Sequence, residues 1–500
     1  MLENKKSGML KYDCIKIGLV YKKENYNIMR QFIFPKKICA EENISNSKAL
    51  FIKRFLQVDL FEEDLLTVEN GGFIVLDFGK EMCGGVRILT SNAVNGGDYV
   101  KVRIRFGESL SETYAELGEK NATNHHAPRD MMQILPAYSD VLVGQTGFRF
   151  VRIDFPKNST IGIKNIVAEN NILRKPLKNG YKGNDKEIKK IFEVAKRTVD
   201  LCSSSDYVWD GIKRDRLVWS GDLYPEILSL TYLYGRVKQL ENSLDFERMR
   251  AKFNGKWISM ITTYSMWWLA CVSDYYFLTG EKEFVLRQLN YVKEVIAQFD
   301  DCVEENGTMN YPEHFVDWAT YGLKDQETGS RLISIFGVKK AIALLKEFNQ
   351  DTAIAERLLN KLMNADLTVE SQKQVIALKY FALGEISDEE YQRLIKDGAK
   401  GITTFMSYFI LTAIATRDKD LAIKLMKEYH LGMINKGATT FWEDFDIDWI
   451  NNSSRIDRLP KKKEKDIHGD FGRYCYTGFR HSLCHAWSSG VIKFIAENGD

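Results

Sequence analysis

The chain lacks any clustering of cysteine. Its eight cysteines (Cys14, Cys39, Cys83, Cys202, Cys271, Cys302, Cys475 and Cys484) form no CxxC pair and no repeated spacing. That pattern argues against a disulfide frame or a zinc site and fits free or buried thiols in a reducing compartment. No stretch approaches the roughly 18 consecutive apolar residues of a membrane span. The strongest candidate, 264–278, is interrupted by Ser273 and Asp274. The opening MLENKKSGML carries lysines without the following apolar stretch of a secretory leader, so a cytoplasmic location is expected. Neither sign of charge dominates: 70 basic and 68 acidic residues leave a formal net charge of +2, which suggests no nucleic-acid or membrane-surface partner. No fixed-period self-similarity supports a repeat solenoid.

What is present divides in two. A chain of 500 residues exceeds the usual limit of one hydrophobic core, so two domains are expected. Residues 73–79, 86–90, 99–109, 147–155 and 161–170 alternate Val, Ile and Phe at period two between Gly, Asn and Asp punctuation. These spans predict an antiparallel β-sandwich over 1–180, with VNGGDYV as a turn between two strands. After Lys182 the period changes. Asn184 or Asp185 can cap a helix whose apolar positions Ile188, Ile191, Phe192, Ala195, Val199 and Cys202 follow the 3.6-residue repeat. Further helical patterns cover 281–299, 331–348, 352–363, 370–383, 389–396, 404–415 and 418–430, and Ser387 with Glu390 forms a capping-box signature. Strands followed by a run of helices predict an all-β domain and then an all-α domain over 181–500, able to close into a ring of helical hairpins.

Between two helical patterns lies WDGIKRDRLVWSGD (209–222), with three aspartates, two arginines and two tryptophans in fourteen residues. A core is not built that way, whereas a loop on a rigid scaffold can aim several carboxylates at one point. Two other inter-helical segments repeat the character: GATTFWEDFD (437–446) sets Trp442 beside Glu443, and HFVDWATYG (314–322) sets Asp317 beside Trp318. Indole faces among carboxylates suit a sugar, whose apolar ring face lies on an aromatic while its hydroxyls need acceptors and donors. Glycoside hydrolysis needs two carboxyl groups, one to protonate the leaving oxygen and one to activate water or attack carbon. Crowding of Asp210, Asp215 and Asp222 would raise one carboxyl toward neutrality, and Arg214 or Arg216 would oppose that if pointed inward.

The segment WDGIKRDRLVWSGD resembles the signature of the α-L-rhamnosidases of glycoside hydrolase family 78. GATTFWEDFD is similar to their second acidic motif, and HSLCHAWSSG (481–490) to the stretch that supplies a sugar-binding histidine. YSMWWLACVSDYYFLTG, FVDWAT, DFGKEMCGGVRI and GFRFVRIDF extend the resemblance over about residues 70–490. The resemblance implies a β-sandwich followed by an (α/α)6 barrel, and an exo-acting, inverting, cofactor- and metal-independent glycoside hydrolase. It places Asp215 as general acid and Glu443 as general base. Asp210, Trp219, Asp222, Trp267, Trp318 and His485 fall at sugar-binding positions, with Arg214, Asp317 and Trp442 beside them. The substrate implied is a terminal α-L-rhamnose or a similar sugar.

Two departures bear on activity. The family acid is Glu, and Asp215 is shorter by one methylene, retracting the carboxyl by roughly 1.5 Å where placement tolerates about 0.5 Å. Val218 stands where Gly is common, and the chain stops at Asp500 where many members continue into a C-terminal β-domain. A non-catalytic sugar-binding protein on a decayed glycosidase scaffold is therefore the alternative. Elsewhere, Trp267 and Trp268 are adjacent, so one belongs to the core. His481 and His485 would share a helical face. His125 and His126, with Arg129 and Asp130, read as plain surface, the alternative being a loop that reaches the helical domain, and KKKEK (461–465) reads as part of a solvated insert over 451–470.

Overall fold

The computed structural model describes residues 28–499 except 62, 95–97 and 255–256. The tip of the expected VNGGDYV turn, the N-terminal segment and Cys14 lie outside the described residues. Seven strands come first: β1 (Ile28–Ile33), β2 (Lys37–Ser45), β3 (Leu66–Val94), β4 (Tyr99–Gly107), β5 (Asp130–Pro136), β6 (Asp140–Phe155) and β7 (Thr160–Leu173). All pair antiparallel, in the order β1-β7-β3-β6-β4-β5 with β2 on β3. The two packed sheets expected from the sequence are thus one continuous, curled sheet. Residues 73–79 and 86–90, expected as separate strands, are two halves of β3. Its register with β6 slips between Asp77 and Met82, and this bend lets one strand serve both walls of the curl. Glycine is required at the second slip, between Gly84 and Val86: a Cβ on Gly84, at φ +157, would lie 2.2 Å from the Glu169 carbonyl oxygen. The concave face buries Val86, Ile88, Ile104, Phe106, Phe148 and Ile153.

Thirteen helices follow among the described residues: α1 (Lys186–Cys202), α2 (Leu223–Tyr234), α3 (Lys238–Asn254), α4 (Thr262–Thr279), α5 (Lys282–Leu286), α6 (Leu289–Cys302), α7 (Gln326–Glu347), α8 (Ala353–Met363), α9 (Lys373–Leu383), α10 (Asp388–Ile395), α11 (Ser407–Ala415), α12 (Lys419–Asn435) and α13 (Val491–Asn498). The local signals act as expected. Asp185 caps α1 by accepting from the Glu187 and Ile188 amides, and the six apolar positions named above are all buried. Ser387 and Glu390 close a reciprocal capping box on α10. Six helices pack in a closed circuit, α2 on α4, α4 on α7, α7 on α9, α9 on α11, α11 on α13 and α13 back on α2. Members of this circuit such as α2 and α4 are buried nearly all round. The helices outside it, such as α1 and α8, bury one stripe and expose the other, which is the amphipathic pattern of a surface helix. No helix among the described residues is long and apolar enough to cross a membrane.

The sheet and the helices meet through polar contacts as well as packing. Arg149 of β6 pairs with Asp77 at 2.9 Å and donates to the Gly437 carbonyl at 3.2 Å. The Glu81 amide donates to Thr439 Oγ1 at 2.8 Å. These bonds lock the bend of β3 to the segment that leads into Glu443.

Candidate active site

Three irregular segments converge at one end of the helical circuit. The first, 203–222, joins α1 to α2. Asp210 closes it on itself: its amide donates to the Leu217 carbonyl at 3.0 Å, and its Oδ1 accepts from the Leu217 amide at 2.9 Å. Within that loop Asp215 and Arg216 both hold left-handed backbone, φ +59 and +53. Side chains with a Cβ disfavour this region, and such strain concentrates at functional sites. The second segment, 441–446, follows α12, and the third, 479–487, precedes α13. They are laced together by backbone bonds: Glu443 N to Ser482 O at 2.9 Å, His485 N to Phe441 O at 3.0 Å, and Ala486 N to Asp210 O at 2.7 Å. His485 is therefore extended and bridged to Gly211, not helical, so His481 and His485 share no helical face as expected from sequence.

The segments enclose a cavity of about 240 Å³ lined by Asp210, Arg214, Asp215, Asp222, Glu443 and His485, with Trp219, Tyr264, Trp318 and Trp487 among the aromatic walls. Arg214 points inward and is the hub. One guanidinium nitrogen meets Asp215 Oδ2, another meets Glu443 Oε1, and Nε donates to the Arg480 carbonyl at 3.1 Å. Arg216 points away, donating to the Gln145 carbonyl at 2.8 Å and stacking over Trp209. Glu443 Oε2 accepts from the Ser482 amide at 2.8 Å.

Burial dominates the electrostatics. It pushes the Glu443 carboxyl up although Arg214 and the Ser482 amide pull it back. Asp210 is pushed well above the carboxylate range by burial and then by the charges of Asp215 and Asp222. Asp222 is raised by burial, opposed by the Tyr264 hydroxyl that donates to it at 3.2 Å. Asp222 stands at the N-cap of α2 yet makes no cap bond, and its carboxyl faces the cavity instead of the helix amides. Burial and the charge of Arg214 hold His485 well below the ordinary histidine range, which favours the neutral ring. Its Nε2 stands 3.8 Å from both Asp222 and Glu443, and its ring lies 4.2 Å from that of Trp487. Acceptors, a neutral imidazole that both gives and takes hydrogen bonds, and flat aromatic walls together match the surface of a sugar ring.

Eight of the residues singled out from sequence meet at this cavity: Asp210, Arg214, Asp215, Trp219, Asp222, Trp318, Glu443 and His485. Three do not. Trp267 is buried in the core against Tyr224, Phe336, Phe405 and Phe409, because α4 is enclosed on all sides, and Trp268 is buried with it. Trp442 is buried edge-on to Phe445 and His481. Asp317 accepts from Thr403 Oγ1 at 2.5 Å and from the Ala319 amide at 3.3 Å, capping the short turn that presents Trp318; burial pushes it up to about 6. His125 and His126 are exposed, as the surface reading expects, but His126 also lines the cavity, as do Tyr264, Tyr476, Arg480 and Trp487. Trp487 lay within the HSLCHAWSSG stretch, and Tyr264 begins YSMWW; nothing local distinguished His126. Arg129 is buried as well.

A buried polar cluster lies between the sheet and the loops. Lys213 pairs with Glu108 at 3.1 Å and Glu112 at 3.3 Å, and donates to the Phe479 carbonyl at 2.9 Å. Glu108, at the end of β4, accepts from the Leu483 amide at 2.6 Å and Ser482 Oγ at 3.2 Å. Ser482 is the residue whose amide holds Glu443. His468, expected in a solvated insert, is buried in the same cluster, 2.7 Å from Ser109 Oγ. Glu108 is thus a positioning residue for Glu443. Glu108→Gln is expected to lower the turnover number by up to about 10²-fold with KM held, the usual cost of a small misplacement. A fall in Tm without a fall in kcat would instead make Glu108 a structural strut.

Among the described residues, two groups have metal-ligating atoms within reach of one another: His125, His126 and Asp215, and Glu108, Glu112 and His468. In the first, Arg214 and Arg480 crowd the donors, and in the second Lys213 does. These carboxylates are already neutralised by protein cations, so neither set fits a divalent ion.

A curled antiparallel sheet leading into a helical domain matches the fold of solved rhamnosidases. The chain is similar to the rhamnosidase from Klebsiella oxytoca with rhamnose bound, at TM-score 0.72 and 18% identity over 95% of this chain and 96% of that one. It is also similar to the family 78 rhamnosidase of Bacillus sp. GL1, at TM-score 0.69 and 18% identity over 88% of this chain and 48% of that one. The α-L-rhamnosidase of Streptomyces avermitilis complexed with L-rhamnose gives TM-score 0.63 and 15% identity over 85% and 42%. The chain thus spans nearly all of the first and about half of the other two. No family model and no curated protein matches it in sequence. At these identities the likeness establishes the fold, and function must be argued from the cavity.

Proposed function

We propose that this chain is an exo-acting, inverting glycoside hydrolase that releases a terminal α-L-rhamnose or a similar sugar, with no cofactor. The observation that carries the reading is the pairing of Asp215 and Glu443 across one guanidinium, in a cavity walled by aromatics. A volume of about 240 Å³ is below the ~300–1,000 Å³ of drug-sized sites and suits a single sugar ring. Glu443 serves as base: anchored at both oxygens by donors, it is held as an acceptor able to take a proton from water. The resemblance assigns the acid role to Asp215, and the leaving oxygen is protonated from its side of the cavity. Inversion needs the two functions roughly 6.5–9.5 Å apart, with the water on Glu443's side of the ring. Asp210, Asp222 and His485 bind ring hydroxyls, and Trp219 and Trp318 flank the ring. The helical circuit is read as the inner ring of an (α/α)6 barrel over 181–500, preceded by a sheet domain over 1–180.

Hydrolysis of a panel of aryl glycosides led by the α-L-rhamnoside tests the reading, with the anomer of the first product followed by NMR. Turnover giving the inverted anomer is expected. Sugar binding by calorimetry with no turnover on any member would favour the non-catalytic sugar-binding alternative, which the Glu-to-Asp change at 215 motivates.

A further inference from the structure

Asp215 accepts at both oxygens. Arg214 occupies Oδ2, and His126 Nδ1 lies 2.6 Å from Oδ1. A carboxyl bonded this way is set up as an acceptor, which is what a base such as Glu443 requires and what an acid cannot use. His126 comes from the sheet, in the connection between β4 and β5, and it lines the cavity. Both ends of the contact are held in left-handed backbone, His126 at φ +70 and Asp215 at φ +59. Two residues in disfavoured conformations meeting at one hydrogen bond point to function rather than to packing. With Nδ1 committed to Asp215, Nε2 is the ring nitrogen left for a ligand; a histidine oriented by a carboxylate through Nδ1 is the usual arrangement of a proton-transferring imidazole.

Exposure orders the site along the path a leaving group must take. The Glu443 side chain is 2% exposed, Asp215 15% and His126 32%. The base is at the floor and the imidazole at the mouth, where the aglycone of an exo-acting enzyme leaves. The His125 ring lies 3.7 Å from that of His126 at 38°, and Arg480 Nη1 stands 3.5 Å from His125 Nδ1, so the loop is braced on its outer side.

Resting on the glycosidase reading, we infer that His126 is the proton donor of this enzyme and that Asp215 is the carboxylate that orients it. His126 Nε2–H passes its proton to the glycosidic oxygen as the bond from the anomeric carbon breaks and its electron pair goes to that oxygen. Water adds to the anomeric carbon from the opposite face and gives a proton to Glu443. The free sugar and the alcohol depart, Glu443 releases its proton to solvent, and His126 takes one up, restoring both groups.

The test is the leaving-group dependence of wild type, His126→Gln and Asp215→Asn on an alkyl and a 2,4-dinitrophenyl α-L-rhamnoside. An alkoxide needs a proton to leave and a dinitrophenolate does not. Loss of His126 is therefore expected to cost about 10²–10⁴-fold in kcat/KM on the alkyl substrate, and at most a few-fold on the activated one. Retained turnover of the activated substrate also shows that the variant is folded. Added imidazole should restore part of the alkyl activity of His126→Ala. Equal alkyl activity in His126→Gln and wild type, with the leaving-group effect confined to Asp215→Asn, would overturn the assignment and return the acid role to Asp215. Wild type inert on every glycoside would instead break the glycosidase reading itself, a result distinguishable from either.

Discussion

Glu443→Gln is expected to abolish hydrolysis while leaving sugar binding intact. The substitution keeps the side chain's shape and an oxygen to accept from the Ser482 amide, but it removes the lone pair that takes the proton from water. Loss of a general base costs typically about 10²–10⁴-fold, and the effect should fall on kcat because the group acts in the transition state. Single-turnover kinetics and calorimetry on the same preparation would separate the two terms. A variant that keeps wild-type turnover would remove Glu443 from the chemistry and leave only its contact to Arg214.

Arg214→Gln is the second large effect, and it acts on stability and pH dependence together. The guanidinium is buried against Glu443 and Asp215, and removing one member of a buried ion pair leaves an uncompensated carboxylate, at a cost of about 3–5 kcal/mol. The figure is an upper range here, since Asp215 is partly solvated. Burial already raises the Glu443 carboxyl, and Arg214 is the largest influence lowering it. Without Arg214 the carboxyl rises further, and less of it is ionised at neutral pH. The acid limb of the kcat/KM profile is therefore expected to move to higher pH. A profile unchanged in position, with only Tm lowered, would show that Arg214 does not set the protonation of the base.

Much of this molecule was legible because its signals are local. Asp185, Ser387 and Glu390 cap the helices they were expected to cap, and the loop 209–222 stood out by composition alone. The curl of the sheet was less visible, since the glycines that bend β3 also look like the punctuation between two strands. The site divides the same way. Asp210, Asp222, Trp318 and Glu443 were found from motifs, but a motif does not say which side chain of a neighbouring pair turns inward. Trp442 and Glu443 are consecutive, yet the indole is buried against Phe445 and His481 while the carboxylate lines the cavity. Asp317 likewise supports Trp318 from behind, and Trp267 belongs to the core. Glu108 was invisible, and His126 was singled out without a role, because each acts only across the junction of sheet and helices, far from its partners in sequence.

The bond from Arg214 to Glu443 spans 229 residues of chain, and the Glu108 bond to Leu483 spans 375. Contacts of such separation are slow to form, because loop-closure entropy is lost before they contribute. The helices and the sheet can each acquire much of their hydrogen bonding locally, whereas the cavity exists only after the C-terminal strand of loops has been threaded against both. Recovery of ellipticity during refolding should thus precede recovery of the site, and a partly renatured population would look native by secondary structure while holding no sugar.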